Sequence, residues 1–313
     1  MANYFTTDNK QSNNSIALAS KMLPILDEVY KASSRTAILD TANDRVNWVG
    51  AKIVNLFKTS MDGLGNYNRN KGFVTGDITS TWEPLEITQD RARSFLIDTM
   101  DNDESLGMAL GTTMGEFLRT QVVPELDAYR LAKYASWSGV QTGTAVDLTS
   151  ASDLPALIAE GEYQLSDKEV PEEGRILFIS EAGYKFLKED VVRMVENDAT
   201  GINHAIEYFD NMRVVRVPQA RFNTAITLRD GITASQEAGG FVPTAGGYKI
   251  NFMIIHPSAV IQIVKHVIPR MFAPDVNQSA DGWLVQYRCY HDAFIEANKV
   301  NGIYVNRAST ANT

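Results

Sequence analysis

The residues able to do chemistry lie scattered along this chain of 313 residues. It has four histidines, His204, His256, His266 and His291, and none is paired with another at the spacing of metal ligands. Cys289 and His291 would share one face of a strand, but two ligands without a second pair are weak evidence for zinc. We therefore predict no metal-binding residues, and interpret the pair as a structural cysteine beside a half-buried histidine.

Motifs for phosphate binding and nucleophilic catalysis are equally weak. The stretch at 63–65 has two glycines but lacks the third glycine, the lysine and the serine of a phosphate-binding loop, so a turn is favoured. No Gly-x-Ser-x-Gly elbow occurs, and nothing around Ser180 or Ser258 marks either as a nucleophile. The sequence therefore predicts no catalytic residues and no cofactor, as expected of a protein that is not an enzyme.

The most informative charged residues are Asp90, Arg91, Arg93 and Asp98. Their signs alternate at the point where an extended segment is expected to return to the body of the protein. Opposite charges placed there suit ion pairs with a neighbouring subunit. We predict inter-subunit contacts for these four residues; the alternative is an ion-pair network on the surface of a single chain.

The overall composition is that of a globular protein, with 44% hydrophobic and 21% charged residues. Asp and Glu number 38 against 29 Lys and Arg, giving a net charge of -9, so sequence-specific nucleic-acid binding is not expected. One cysteine, no secretion signal and no apolar stretch long enough for a bilayer together predict a protein made in the cytoplasm without a membrane segment.

Residues 46–98 are predicted to form a long hairpin. A first extended stretch runs from Trp48 to Phe57, and Leu85 and Ile87 alternate with polar residues in a second. The residues between them are rich in glycine and asparagine and offer few apolar anchors. Because a projecting hairpin of this length cannot bury both faces on its own domain, we expect a partner subunit to supply contacts.

A long helix is predicted over residues 103–137, spanning about 50 Å. Acidic residues at 101–104 suit its N-terminus. The apolar face of this helix comprises Leu106, Leu110, Met114 and Phe117. Pro124 removes a backbone donor and is expected to kink the helix.

The polar connector at 138–152 is the predicted domain boundary. Beyond it, one helix is predicted at 153–166 and another from Glu181, with Ser180 as its N-cap. Strands are predicted at 175–180, 212–217 and 248–255. A glycine-rich, mobile excursion is predicted at 230–247. The middle of the chain is therefore expected to be an α+β domain.

The last section predicts an unusually long strand. After a short strand at 260–264, residues 283–294 alternate in polarity. One face carries Trp283, Val285, Tyr287 and Cys289. A strand of that length needs a long neighbour, and we expect it beside the long helix.

Residues 87–105, together with 123–130, resemble the corresponding segment of tailed-bacteriophage major capsid proteins, especially those of phages of Gram-positive bacteria. The order of the predicted parts also agrees with that family. The resemblance is specific for these two segments and architectural over the rest of the chain. It implies an α+β fold of the Hong Kong 97 type, with an N-terminal arm, an extended β-hairpin loop, a peripheral domain with a long spine helix, and an axial domain.

Transferred to this chain, the resemblance assigns each part a range. These are the arm at 1–45, the extended loop at 46–98, the peripheral domain at 99–138 with 258–292, and the axial domain at 139–257 with 293–313. On the residues alone, 1–45 is either an arm that docks elsewhere or a frayed terminus.

The implied function is that of a major capsid protein. Copies would self-assemble through pentamers and hexamers into an icosahedral head that encloses double-stranded DNA without sequence-specific binding. Scaffolding, portal and decoration proteins are the implied partners, and the virion is the implied location. A shell protein of a bacterial encapsulin-like nanocompartment and a soluble enzyme with an unrecognised site are the alternatives.

Overall fold

The protein is an α+β structure of many strands and few helices, as the sequence predicts. The computed structural model describes residues 34–40, 47–49, 52–70, 72–100, 114–149, 153–195, 206–278 and 280–312. In these ranges the helices are α1 (Val123–Ala135), α2 (Asp153–Asp167) and α3 (Glu181–Val195). The strands are β1 (Asn47–Val49), β2 (Ile53–Met61), β3 (Ile78–Glu86), β4 (Gln89–Asp98), β5 (Gln141–Thr142), β6 (Ile176–Ser180), β7 (Tyr208–Phe209), β8 (Met212–Val217), β9 (Ile226–Leu228), β10 (Phe241–Pro243), β11 (Tyr248–Ile255), β12 (Val260–Phe272), β13 (Gly282–Ile295) and β14 (Ile303–Ala311).

The predicted hairpin is formed by the antiparallel strands β2 and β3, with the short β1 along the outer edge of β2. Its pairing runs from Ile53 opposite Glu86 to Met61 opposite Ile78. Residues 62–77 connect the two strands at the tip. The hairpin ends at Glu86, so residues 89–98, which the sequence places in the same extended loop, lie in a different sheet.

That second sheet has the order β12, β13, β4, with all neighbours antiparallel. The long strand predicted at 283–294 is found as β13, and its long neighbours are β12 and β4. The strand predicted at 260–264 continues to Phe272, because β13 supplies pairing partners on both sides of an irregularity at Lys265. Pro269 is tolerated because β12 is an edge strand.

A continuous helix covers residues 114–135 and is called the spine helix below. Leu118–Val122 forms a π-helical turn in which the Val123 N–H bonds the Leu118 carbonyl, and α1 follows. The π turn lies immediately before Pro124, where the sequence predicts a disturbance, and π turns accommodate such breaks in the hydrogen-bond ladder. The predicted residues Leu106 and Leu110 lie outside the described residues.

The third sheet has six strands in the order β5, β14, β11, β6, β8, β7. The strands predicted at 175–180, 212–217 and 248–255 are found as β6, β8 and β11, and α2 and α3 pack against the sheet. Ser180 is the predicted N-cap of α3, and the Gly183 amide donates to its hydroxyl at 3.1 Å.

Two segments predicted as irregular are tied to the sheets. In the polar connector, β5 pairs parallel with β14 and so becomes an edge strand. The excursion at 230–247 contains β10, which pairs with β9, and its turn is capped by Asp230, whose carboxylate accepts from the Ile232 and Thr233 amides at 2.9 Å each. Four of the glycines in this segment, at 231, 239, 240 and 246, have positive φ and so serve tight turns. The predicted mobility of the segment stays a prediction.

The hydrophobic cores lie on both faces of the six-stranded sheet and continue beneath the hairpin and the sheet of β12, β13 and β4. One core joins this sheet to the spine helix, and another joins it to α2 and α3. A third lies between the spine helix and β13, and it includes Met114 and Phe117 from the predicted apolar face of the helix. No helix among the described residues is long and apolar enough to cross a membrane.

Candidate assembly surface

The most unusual surface of the molecule is one face of the hairpin. Alternation along β2 and β3 places five large apolar side chains on the same face. They are Ile53, Phe57, Met61, Ile78 and Trp82, and we call them the apolar stripe. Each is more than 40% exposed, and the rings of Phe57 and Trp82 meet edge to face with their centroids 5.1 Å apart. Large apolar side chains exposed in this number on one face indicate an interaction site.

The opposite face of the hairpin is buried at its base. Val54 and Leu56 of β2 pack with Ile261 and Ile263 of β12 and with Phe294 of β13. The base is therefore fixed to the body of the protein, while the stripe faces away from that core. Nearer the tip, Leu64 and Phe73 are almost fully exposed, at 108% and 91%.

Each of the four charged residues predicted to contact a neighbouring subunit has a contact within its own chain. Arg288 donates to the Asp90 carboxylate from Nε at 2.8 Å, and Arg93 donates from both Nη atoms to the Glu237 carbonyl at 3.1 Å. Arg91 bonds Glu125 and the Arg229 carbonyl. Asp98 accepts from the amide of Met100 at 2.9 Å. The intrachain network is thus observed, and the inter-subunit role of these residues remains a prediction.

Arg91 and Arg93 border a cavity of about 420 Å³ between β4, the spine helix and the segment at 229–240. Cys289 and His291 also line it. Burial raises the pKa of the Cys289 thiol to about 11, so the sulfur is a protonated and unreactive group at neutral pH. Burial, together with the charge of Arg130, lowers the pKa of His291 to about 3, so the imidazole is neutral. His291 is fully buried and not half-buried as predicted.

The other candidate groups for chemistry have structural roles. Ser258 Oγ lies 2.7 Å from Nδ1 of His256, whose ring also accepts from the Ser258 amide and so caps the short helix at 257–259. Ser180 caps α3. Among the described residues, no group of three or more His, Cys, Asp or Glu side chains could hold a metal ion.

Two buried carboxylates connect distant parts of the chain, and sequence reasoning assigned neither a role. Asp127 on the spine helix is fully buried and accepts from the segment at 34–40, through the hydroxyls of Ser34 and Thr36 at 2.7 Å each and the Arg35 amide at 2.9 Å. Arg221 lies 3.3 Å from the same carboxylate. Asp127 therefore fastens the described end of the N-terminal region to the spine helix.

The second carboxylate, Asp292, joins the base of the hairpin to the same helix. A sequence signal existed for it, since a carboxylate stands in the apolar run from Cys289 to Ile295. Buried carboxylates need donors around them, but the run itself does not reveal where those donors come from.

No protein-family model and no curated protein sequence matches the chain. Its structure is similar to one from Mycobacterium phage Che8, with 15% identity and a TM-score of 0.62 over 88% of this chain and 90% of that chain. It is also similar to the capsid structure of the cyanophage P-SCSP1u, with 15% identity and a TM-score of 0.59 over 87% of each chain. The mature capsid of bacteriophage PhiM1 gives 9% identity and a TM-score of 0.56 over 83% of each chain. These likenesses show the fold.

Proposed function

We propose that this chain, which has the Hong Kong 97-type fold of tailed-phage capsid proteins, is itself a major capsid protein of a tailed bacteriophage. In this proposal many copies assemble through pentamers and hexamers into the icosahedral head that encloses double-stranded DNA. The fold alone does not assign the function, because one fold can serve several. The apolar stripe on the hairpin carries the proposal.

No described part of this chain covers the stripe. Its side chains are exposed along the whole hairpin, while the opposite face at the base is already buried in the core. In a shell of identical copies, every hairpin meets an equivalent neighbouring surface, so one stripe per chain is covered in every copy. We therefore take the occupant of the stripe to be a second copy of this chain.

The charge of the protein suits a container. A net charge of -9 gives the chain no general attraction for a phosphate backbone, so DNA could be packed and released without sticking to the wall. Scaffolding, portal and decoration proteins are proposed partners, and the phage head, assembled in the host cytoplasm, is the proposed location. The division into arm, extended loop, peripheral and axial domains at the boundaries given above belongs to the same proposal.

The contents of purified particles test the function. A phage head would protect double-stranded DNA from added nuclease, whereas the shell of a nanocompartment would hold protein in place of DNA. A soluble enzyme, the remaining alternative, would purify as a small oligomer that turns over a ligand. Nuclease-resistant double-stranded DNA in particles built from this chain supports the proposal, and particles filled with protein contradict it.

A further inference from the structure

One buried carboxylate binds the connection between the hairpin and β4 at Thr88. Asp292 on β13 is fully buried and accepts from five groups of the described residues. Four of them are the Thr88 amide and hydroxyl at 2.9 Å each, the Tyr129 hydroxyl at 2.9 Å and the Ala293 amide at 2.7 Å. The fifth is the Lys133 ammonium. We call Thr88, Tyr129, Lys133 and Asp292 the base clamp.

The base clamp joins three elements at the root of the hairpin. Thr88 belongs to the two-residue connection between β3 and β4, whereas Tyr129 and Lys133 lie one turn apart on the spine helix. The other connecting residue, Ile87, is held to β13 because its carbonyl accepts from the Tyr290 hydroxyl at 2.8 Å. Its amide donates to the Lys52 carbonyl at 3.0 Å, which extends the pairing within the hairpin. Both connecting residues are therefore fixed to the body.

The carboxylate is held in its charged form. Burial acts to raise the pKa of Asp292, but the hydrogen bond and charge of Lys133, with the amides of Thr88 and Ala293, outweigh it and lower that pKa. A charged acceptor makes stronger hydrogen bonds than a neutral one. The ammonium of Lys133 also lies 4.6 Å from the centre of the Phe294 ring, so the cation is enclosed as well.

Residues 87–88 are the point at which the hairpin joins β4. Among the described residues, the core contacts of the hairpin with the body lie at its base, so a small rotation at residues 87–88 becomes a large displacement of the tip. Two bonds from Thr88 to Asp292 resist such a rotation, together with the bond from the Tyr290 hydroxyl to the Ile87 carbonyl. The buried leucine and valine of the hairpin base resist separation, but apolar contacts are non-directional.

We propose that Asp292 is a positioning residue that sets the direction in which the hairpin leaves the body, and thereby the place where the apolar stripe meets a neighbouring copy. This inference rests on the proposed function for its consequence in assembly. The direction of the hairpin itself is a property of each chain and can be measured whether or not shells form.

Thr88→Val is the main variant, because it removes one hydroxyl donor to Asp292 and keeps the shape of the side chain. Thr81→Val is its matched control, since Thr81 is an exposed hairpin residue opposite Lys58 and has no contact with the clamp. Losing one hydrogen bond should raise the population of chains with an open clamp about two- to tenfold. Asp292→Asn is the stronger change, and Thr88→Val decides the matter if Asp292→Asn does not fold.

The readout is the distance between spin labels at Leu64→Cys on the hairpin tip and Tyr163→Cys on α2, both highly exposed, with labelled chains diluted in unlabelled protein. The native Cys289 is buried and should not react. We expect one narrow distance distribution in the parent and in Thr81→Val, and a broadened or shifted one in Thr88→Val, with similar melting temperatures for the two variants. An unchanged distribution in Thr88→Val overturns the inference. If the parent forms no particles but the distributions differ as expected, the proposed function fails and the positioning role stands.

Discussion

Nε of Arg91 on β4 lies 2.6 Å from Oε1 of Glu125 on the spine helix, and Nη2 lies 3.1 Å from Oε2 of the same carboxylate. The pair is bidentate, and both side chains are largely buried, with 25% and 14% of their surface exposed. The remaining Nη1 donates to the Arg229 carbonyl at 2.8 Å. One guanidinium thus joins the second sheet, the spine helix and the segment at 229–240.

Breaking the Arg91–Glu125 pair should destabilise the folded chain. We expect Glu125→Ala and Arg91→Ala each to lower the free energy of unfolding by about 1–3 kcal/mol, because either change leaves a partly buried charge without its partner. A double-mutant cycle followed by urea unfolding measures the coupling, expected at about 1–2 kcal/mol. Additive effects of the two substitutions would show that the pair contributes no coupling energy.

Arg93→Glu addresses the predicted inter-subunit role. Among the described residues, the guanidinium donates to a backbone carbonyl of an exposed segment, so its reversal should leave the chain folded. If Arg93 also faces a neighbouring copy, the variant should fail to assemble. Circular dichroism and sedimentation separate folding from assembly, and Arg119→Glu, which reverses another exposed arginine, is the control. Normal particles from Arg93→Glu would leave only the intrachain role.

Asp127→Asn should be severely destabilising. The substitution removes the charge that faces Arg221 and replaces an acceptor oxygen with an amino group among donors from Ser34, Arg35 and Thr36. We expect a loss of about 3–5 kcal/mol in the free energy of unfolding. Asp167→Asn at the exposed end of α2 is the control and should change it by less than about 0.5 kcal/mol. Equal stabilities of the two variants would refute the anchoring role of Asp127.

His291 should make the protein acid-sensitive. Its pKa is about 3 in the folded chain, because burial and the charges of Arg130, Arg91 and Lys133 outweigh the opposing effect of Asp292. The unfolded chain takes up this proton below about pH 6.5 and the folded chain does not, so stability falls as the pH falls from there toward 3. Between pH 7 and pH 5 this titration lowers the free energy of unfolding by about 2 kcal/mol.

The variant His291→Asn removes this titration and isolates it from other groups. Burial and the nearby Asp210 raise the pKa of Glu162 to about 7, so its titration increases stability as the pH falls over the same range. The pH dependence of the parent must therefore be compared with that of His291→Asn. Urea unfolding at both pH values should show a smaller loss for the variant. An identical pH dependence in both proteins would rule out His291 as the sensor.

Much of the fold could be predicted from local patterns in the sequence. The period-2 alternation of β13 is visible in its own residues, and so is the cap at Ser180. The second half of β12 was not predicted, because Lys265, Pro269 and Arg270 break the alternation and the pairing comes from β13. The extent of β12 therefore depends on its hydrogen bonds to another strand and not on its own residues alone.

The buried carboxylates show a second limit. Thr88 and Asp292 are 204 positions apart, and Asp127 bonds residues more than 90 positions away. A sequence window shows the carboxylate but not the donors that meet it. The charged residues at 90–98 had the converse problem, since their spacing indicates ion pairs but does not say whether the partner belongs to the same chain.

If the apolar stripe lies in an interface between copies, a substitution in it should affect particle formation and not folding. Trp82→Ser removes the largest side chain of the stripe, which is 52% exposed, so it should alter the stability of the free chain little while preventing or weakening particle formation. Thr81→Ser, on the opposite face of the same strand, is the control. Sedimentation velocity of both variants provides the measurement. Particle yields from Trp82→Ser equal to the control would show that the stripe does not lie in an interface.

Negative-stain electron microscopy of the purified full chain tests the central claim most directly. If the chain is a shell-forming protein, the grids should show closed shells, or tubes and sheets of a regular lattice, built from this chain. A uniform population of small oligomers, with no shells, tubes or sheets at any protein concentration used for assembly, would contradict the claim.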